Sequence, residues 1–337
     1  MRINHILKLI IQLHNRLRHA IVQTCEKLPT EQIAAIDHEG SDDTIYAIDS
    51  ICEKILIEFV TEEIAAHTPV ILIAEGIEAG QVILPHGTSE DEAEYRIIVD
   101  PIDGTRALMY QKRSAWILTG VAPNRGANTN LQDIQLAVQT EIPLAKQYLS
   151  DQLWAIRGQG AQVVRHNRLT NAEHIIKIQP ATAPTIAHGF AMLSRFFPGA
   201  RDLIAEIDEE IIRGALGPVQ PGKAHCFEDQ YISTGGQLYE LMAGHDRFNA
   251  DIRPLLKNEL QNRNLTPGIT CHPYDICTEL IARELGVIIT NENGELLRPK
   301  LNTSDEVSWV GFANSAIRQQ IAPLLEHALR KRKLLAE

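Results

Sequence analysis

The apolar run Ile97-Ile98-Val99 stops at two aspartates three positions apart, in the stretch Arg96-Ile97-Ile98-Val99-Asp100-Pro101-Ile102-Asp103-Gly104-Thr105. The run reads as a buried strand. Pro101 fixes its own φ and biases Asp100 towards an extended form, so both carboxylates leave a strand end in a constrained turn. Gly104 permits close backbone approach or a positive φ. Thr105 adds a hydroxyl beside the acids. Two anions held this close repel unless a cation joins them or one stays protonated. Hard oxygen ligands at this spacing suit Mg²⁺. A plain β-turn made of turn-forming residues gives the same local pattern. The rest of the chain has to decide between the two.

With 337 residues, 44% of them hydrophobic, the chain can bury a large core as one domain or as two layered halves. Its net charge of −11 argues against a nucleic-acid surface and fits a site that holds cations through carboxylates. The five cysteines (Cys25, Cys52, Cys226, Cys271, Cys277) form no CxxC pair, and their odd number gives no tidy disulfide framework. A reducing, cytoplasmic setting is the expectation. No apolar run reaches the roughly 18 residues of a spanning helix. Residues 1–27 are apolar but interrupted by Lys8, Arg16 and Arg18, which predicts an amphipathic helix and no signal peptide. The expected partner is a small molecule, with no nucleic-acid polymer and no membrane.

Helical spacing predicts a second helix over residues 42–65, with Ile45, Ile48, Cys52, Ile55, Leu56 and Phe59 on one stripe. Asp49 projects inside that stripe, where a lone carboxylate is costly unless paired, hydrogen-bonded or metal-bound. Strands are expected over 69–74, ending at Glu75-Gly76, over 81–84 as its hairpin mate, and up to Asp100. Others follow over 115–121, 134–140, 152–156 and 161–165, with 88–94 as an acidic loop. Short turns between neighbours make this part largely antiparallel. The chain changes character near 180–184, which divides one compact α/β unit, α+β in its layering, into halves 1–182 and 183–337. Helices are expected over 201–213, 233–243, 275–285 and 315–335, strands over 287–289 and 309–312, and a polar helix or loop over 251–264. His86, His188, His225, His245 and His272 have no zinc-ligand spacing. Gly235-Gly236 reads as a helix-start turn, with anion cradling as the alternative.

Asp49, Glu75, the Asp100/Asp103 pair and Asp275 thus stand out as acids in telling places. Each has a structural alternative, an N-cap in the case of Asp275. In chain order they resemble the inositol monophosphatase family, part of a superfamily of metal-dependent, lithium-sensitive phosphatases that includes fructose-1,6-bisphosphatase and bisphosphate nucleotidases. Ile45-Tyr46-Ala47-Ile48-Asp49 stands where that family has Val-Thr-x-x-Asp. Ala74-Glu75-Gly76 stands for Gly-Glu-Glu. The signature Asp-Pro-Ile-Asp-Gly-Thr is complete at Asp100 to Thr105. Gly158-Gln159-Gly160-Ala161 matches Gly-x-Gly-Ala, and Tyr274-Asp275-Ile276-Cys277-Thr278-Glu279 matches Trp-Asp-x-Ala-Ala-Gly in part.

The resemblance implies a layered αβαβα sandwich, a homodimer, lithium inhibition, and hydrolysis of a phosphomonoester with two or three Mg²⁺ ions. It implies that Glu75, Asp100, the Ile102 carbonyl, Asp103 and Asp275 hold metal. Asp49 then serves a further, weaker metal or hydrogen-bonds Thr105. Thr105 and Glu75 are expected to orient the attacking water and take its proton. The N–H groups of Gly104 and Thr105 are expected to receive phosphate oxygens, and Arg106 to join them. The departures concern specificity. Gly76 replaces the second glutamate, Thr278 and Glu279 replace small residues, and about twenty extra residues lie between Asp251 and His272. Arg106, Lys112 and Arg113 could hold a second anionic group, as on 3'-phosphoadenosine 5'-phosphate or fructose 1,6-bisphosphate, or could be solvated loop cations. A non-catalytic member that binds a phosphorylated ligand is the other alternative.

Overall fold

The computed structural model of the chain describes residues 2–28, 30–33, 36–39, 44–266 and 268–335. Helix α1 (Ile3–Lys27) is amphipathic as expected. Ile6, Leu9, Ile10, Leu13, Leu17 and Ile21 are buried at helical spacing. Each contributes roughly 1.5–3 kcal/mol relative to exposure. That stripe holds the helix down, since no side chain caps its start. The short α2 (Thr30–Ile33) leads to an antiparallel pair, β1 (Ile36–Glu39) and β2 (Thr44–Tyr46). Helix α3 (Ala47–Phe59) follows and widens into a π-helical segment, Val60–Ala65. The expected helix over 42–65 therefore begins five residues late. Its first part is a strand, and residues 42–43 lie outside those described.

Eight strands then build one sheet: β3 (Val70–Ala74), β4 (Gln81–Leu84), β5 (Tyr95–Asp103), β6 (Ala115–Pro123), β7 (Leu136–Ile142), β8 (Leu149–Ile156), β9 (Ala161–Asn167) and β10 (Ala172–Ile176). Their spatial order is β10-β9-β8-β7-β6-β5-β3-β4. All neighbours are antiparallel except β3 and β5, which run parallel with Ala74 opposite Val99. Glu75 and Asp100 therefore leave adjacent strands at the same edge. The short α4 (Thr105–Met109) follows β5 directly.

The second half forms a smaller sheet from β11 (Phe190–Leu193), β12 (Asp246–Asp251), β13 (Ile288–Thr290) and β14 (Trp309–Phe312), in the order β11-β12-β14-β13. Its helices are α5 (Arg201–Leu216), α6 (Thr234–Met242), α7 (Lys257–Asn262), α8 (Glu279–Glu284) and α9 (Ser315–Lys331). Three cores stack these parts. In the first, α1 and α3 pack on one face of the large sheet through Leu13, Leu56, Val99, Ile117 and Val138. In the second, Leu238 and Leu241 of α6 and Ile281 of α8 pack between the other face, at Ile98 and Leu118, and the small sheet, at Ile289 and Trp309. In the third, α5 and α9 cover the far side of the small sheet through Ile207, Phe248, Phe312 and Ile321. The layers read αβαβα, as expected. Among the described residues, no helix is long and apolar enough to cross a membrane, and all five cysteines are free thiols.

One expectation fails in this half, and one strand goes unforeseen. Residues 275–278 form a tight turn and α8 starts only at Glu279, so Asp275 is no helix cap. Residues 246–251 are a buried strand that the sequence hides behind polar letters. Asp246 accepts from Asn249 (2.7 Å), and Asp251 holds Arg253.

Candidate active site

Strand β5 delivers the first two acids. Its ladder with β6 pairs Asp100 with Leu118 and Asp103 with Trp116, and the register slips between them. The bulge re-aims the strand end. Asp100 and Asp103 are 4% and 6% exposed. Gly104 has φ +98°, a left-handed turn that a side chain resists, and an added Cβ would meet the Ile232 carbonyl at 3.2 Å. The chain thereby turns into α4 with Thr105 at its first position.

Each acid is anchored. The Ile102 N–H donates to Asp100 Oδ1 (2.9 Å). Ser233 Oγ (2.8 Å) and the Gly235 N–H (2.5 Å) donate to Asp103 Oδ2. The His272 N–H donates to Asp275 Oδ2 (2.6 Å). These bonds fall on one oxygen of each carboxylate, so the other is left to serve a cation. Ligand atoms of Asp100, Asp103 and Asp275 lie within 4.8 Å of one another. Burial, then repulsion from Asp103, Asp275 and Glu75, pushes the Asp100 carboxyl well above the usual range. Burial and Asp275 push Asp103 up likewise, against the pull of its hydrogen bonds. Buried anions crowded this way are stable only with protons or a cation among them. The donor set is all hard oxygen, which fits Mg²⁺.

The remaining expected residues divide. Glu75, Ile102, Gly104, Thr105 and Arg106 line one cleft with the three acids. The Thr105 hydroxyl donates to the Ile102 carbonyl (2.7 Å). Asp49 Oδ1 stands 3.5 Å from the same hydroxyl, at the outer limit of a hydrogen bond. Lys112 and Arg113 are absent from the cleft lining. Arg113 is paired with Asp229 and Glu240 and lies over the Tyr231 ring, which removes it as an anion ligand. Both thiols near Asp275 are buried, and burial with the neighbouring carboxylates pushes Cys271 and Cys277 well above the usual thiol range. Neither is poised as a thiolate.

Sequence reasoning missed three parts. Ser233 and Gly235 cradle the chain's own carboxylate; 130 residues separate Ser233 from Asp103. Only the Ser-Thr-Gly-Gly letters at a helix start hinted at it. Gly158-Gln159-Gly160 turns its N–H groups to the Glu284 carboxylate (2.7 and 2.8 Å), tying the large sheet to α8. Arg253, in the segment after Asp251, lines the cleft, stacks on Phe196 (4.4 Å), and shares Phe197 with Arg106 (5.4 Å each).

No family model matches the chain, and no curated protein does. Solved structures do. A gene product described as an inositol monophosphatase–fructose 1,6-bisphosphatase superposes with a TM-score of 0.64 at 16% identity, over 98% of this chain and 100% of its own. Leishmania major fructose-1,6-bisphosphatase in holo form gives 0.66 at 12% identity, over 98% and 96%. The extragenic suppressor protein suhB from Bartonella henselae gives 0.63 at 15%, over 95% and 98%. The likeness drawn from the motifs therefore holds along nearly the whole backbone, and the chain has the fold of the inositol monophosphatase and fructose-1,6-bisphosphatase superfamily.

Proposed function

We propose that the chain is a Mg²⁺-dependent phosphomonoesterase acting on a small phosphorylated polyol, sugar or nucleotide. The observation that carries this reading is the buried cluster of Asp100, Asp103 and Asp275 at a strand end, beside a glycine turn that opens a helix. The three carboxylates, with Glu75 and the Ile102 carbonyl, would hold two or three ions. Bound Mg²⁺ would polarise the phosphoryl oxygens, acidify a water and stabilise the leaving oxygen. The chain's own groups do the rest. Gly104 and Thr105 offer backbone N–H groups to phosphate oxygens. Thr105 has its hydroxyl hydrogen committed to the Ile102 carbonyl, so its oxygen is oriented to accept one from water. Glu75 takes the proton as general base, and Asp49, at the limit of reach of the Thr105 hydroxyl, serves a further, weaker cation.

A second reading concerns the substrate. The cleft has an acidic floor and a wall of Arg106, Phe197 and Arg253. Arg253 is itself held by Asp251 and the Ile269 carbonyl, so it is Arg106 in that wall that favours an ester with a second anionic group, such as a bisphosphate. The experiment is phosphate release from a panel of inositol, sugar and nucleotide mono- and bisphosphates, with Mg²⁺, with chelator and with lithium. Mg²⁺-dependent, lithium-sensitive release is expected. Failure on every compound, or release that survives the chelator, sinks the assignment. Arg106→Met should raise KM for a bisphosphate at least tenfold more than for the matching monophosphate.

A further inference from the structure

Gln139 lies in the middle of β7, fully buried, on the face of the large sheet that carries α6 and α8. An amide placed there costs free energy unless its hydrogen bonds are made, and a leucine would fill the space without that demand. Its two ends are both used. The side-chain N–H donates to the Gly235 carbonyl (2.7 Å), and the side-chain oxygen accepts from the Thr278 hydroxyl (2.9 Å). The Gly235 carbonyl can only accept, which fixes the amide orientation.

The bonds meet at places that matter. Gly235 is the residue whose N–H holds Asp103. Thr278, also fully buried, closes the turn that begins with the His272 and Asp275 contact. Across the sheet, Gln139 is level with Leu118, and Leu118 with Asp100. Gln139 is thus two strands, roughly 10 Å, from the Asp100 backbone. One side chain joins the Asp103 cradle, the Asp275 turn and the row of the sheet that carries Asp100.

We propose that Gln139 and Thr278 form a positioning clamp that sets the spacing of the Asp103 and Asp275 carboxylates, and through it the affinity for a divalent cation. The clamp rests on the metal-site reading above. It also accounts for Thr278 at a place where the resemblance leads one to expect a small residue. Groups that orient metal ligands typically change affinity by about 10–100-fold when removed.

The test is Mn²⁺ binding to the full chain without substrate, followed by electron paramagnetic resonance, with the melting temperature of the metal-free protein measured alongside. Thr278→Val keeps the shape and removes the hydroxyl. It should weaken Mn²⁺ binding by about tenfold, and Thr278→Ser should restore it. Gln139→Met should weaken binding at least as much. A purely structural role would lower the metal-free melting temperature and leave the affinity of the folded protein unchanged. Wild-type affinity in both Thr278→Val and Gln139→Met overturns the clamp alone, as does a loss that Thr278→Ser fails to restore. A wild-type chain that binds no Mn²⁺ overturns the clamp and the functional reading together.

Discussion

On the α1 face of the large sheet, His14 is fully buried between two hydroxyls, Thr140 at Nδ1 and Thr119 at Nε2, both at 2.8 Å. Gln152 adds a donor to Thr140 (2.9 Å). Every group in that network is neutral, because burial and the nearby Arg18 hold His14 down to about 3. On the opposite face, Asp100 and Asp103 are buried almost as deeply beside other carboxylates, and among the described residues neither forms an ion pair. Glu279 on the same face has one oxygen bonded to Gln132, with Arg283 3.5 Å away, and the other oxygen without a hydrogen-bond partner. A buried polar network that satisfies itself specifies packing. One that is left short of positive charge stores repulsion that a cation relieves. The same sheet carries both, one on each side.

The largest effect should come from the cation face. Asp103→Asn should cut turnover at least 10³-fold, because the amide cannot supply an anionic ligand. In chelator its melting temperature should not fall, since one repelling carboxylate is gone; a drop of several degrees there would mean that Asp103 is structural.

Glu279 tests what burial costs an acid on that face even with a cation, Arg283, beside it. Burial raises it to about 7, against 4.5 for an ordinary glutamate. Between those values the folded state binds the extra proton, so stability falls as pH rises through that window. Glu279→Gln should gain on wild type by up to about 3 kcal/mol from pH 4.5 to pH 8. Parallel denaturant curves at the two pH values check it, and an unchanged difference between them breaks the contrast.

The α1 face predicts the opposite sign. The unfolded chain protonates His14 below about 6.5, while the folded chain keeps it neutral down to about 3. The unfolded state therefore binds more protons in that window, and stability falls as pH falls. The contribution at pH 5 is about 2 kcal/mol. In His14→Gln that slope should flatten while Mg²⁺ affinity stays the same. A change in Mg²⁺ affinity would show that the two faces are not separate.

What the sequence disclosed follows from range. The apolar stripe of α1 and the run Ile97 to Val99 are local patterns, and both elements appear where the letters put them. The acids at Asp100 and Asp103 were legible because one turn holds them, and Asp275 because of its place in a motif. The partners that hold those acids were not. Ser233 reaches Asp103 across 130 residues, and Thr278 reaches Gln139 across 139. Strand β12 was hidden because Asp246, Asn249 and Asp251 look like loop residues until their hydrogen bonds are known. Arg113 looked available because Asp229 and Glu240 are far along the chain.

The central claim is that the acid face is built for divalent cations. Calorimetric titration of Mg²⁺ into the wild-type chain and into Asp103→Asn tests it most directly. Saturable binding in wild type, weakened at least tenfold in Asp103→Asn, is the predicted result. Absence of saturable binding in wild type, or equal binding in the two, would contradict it.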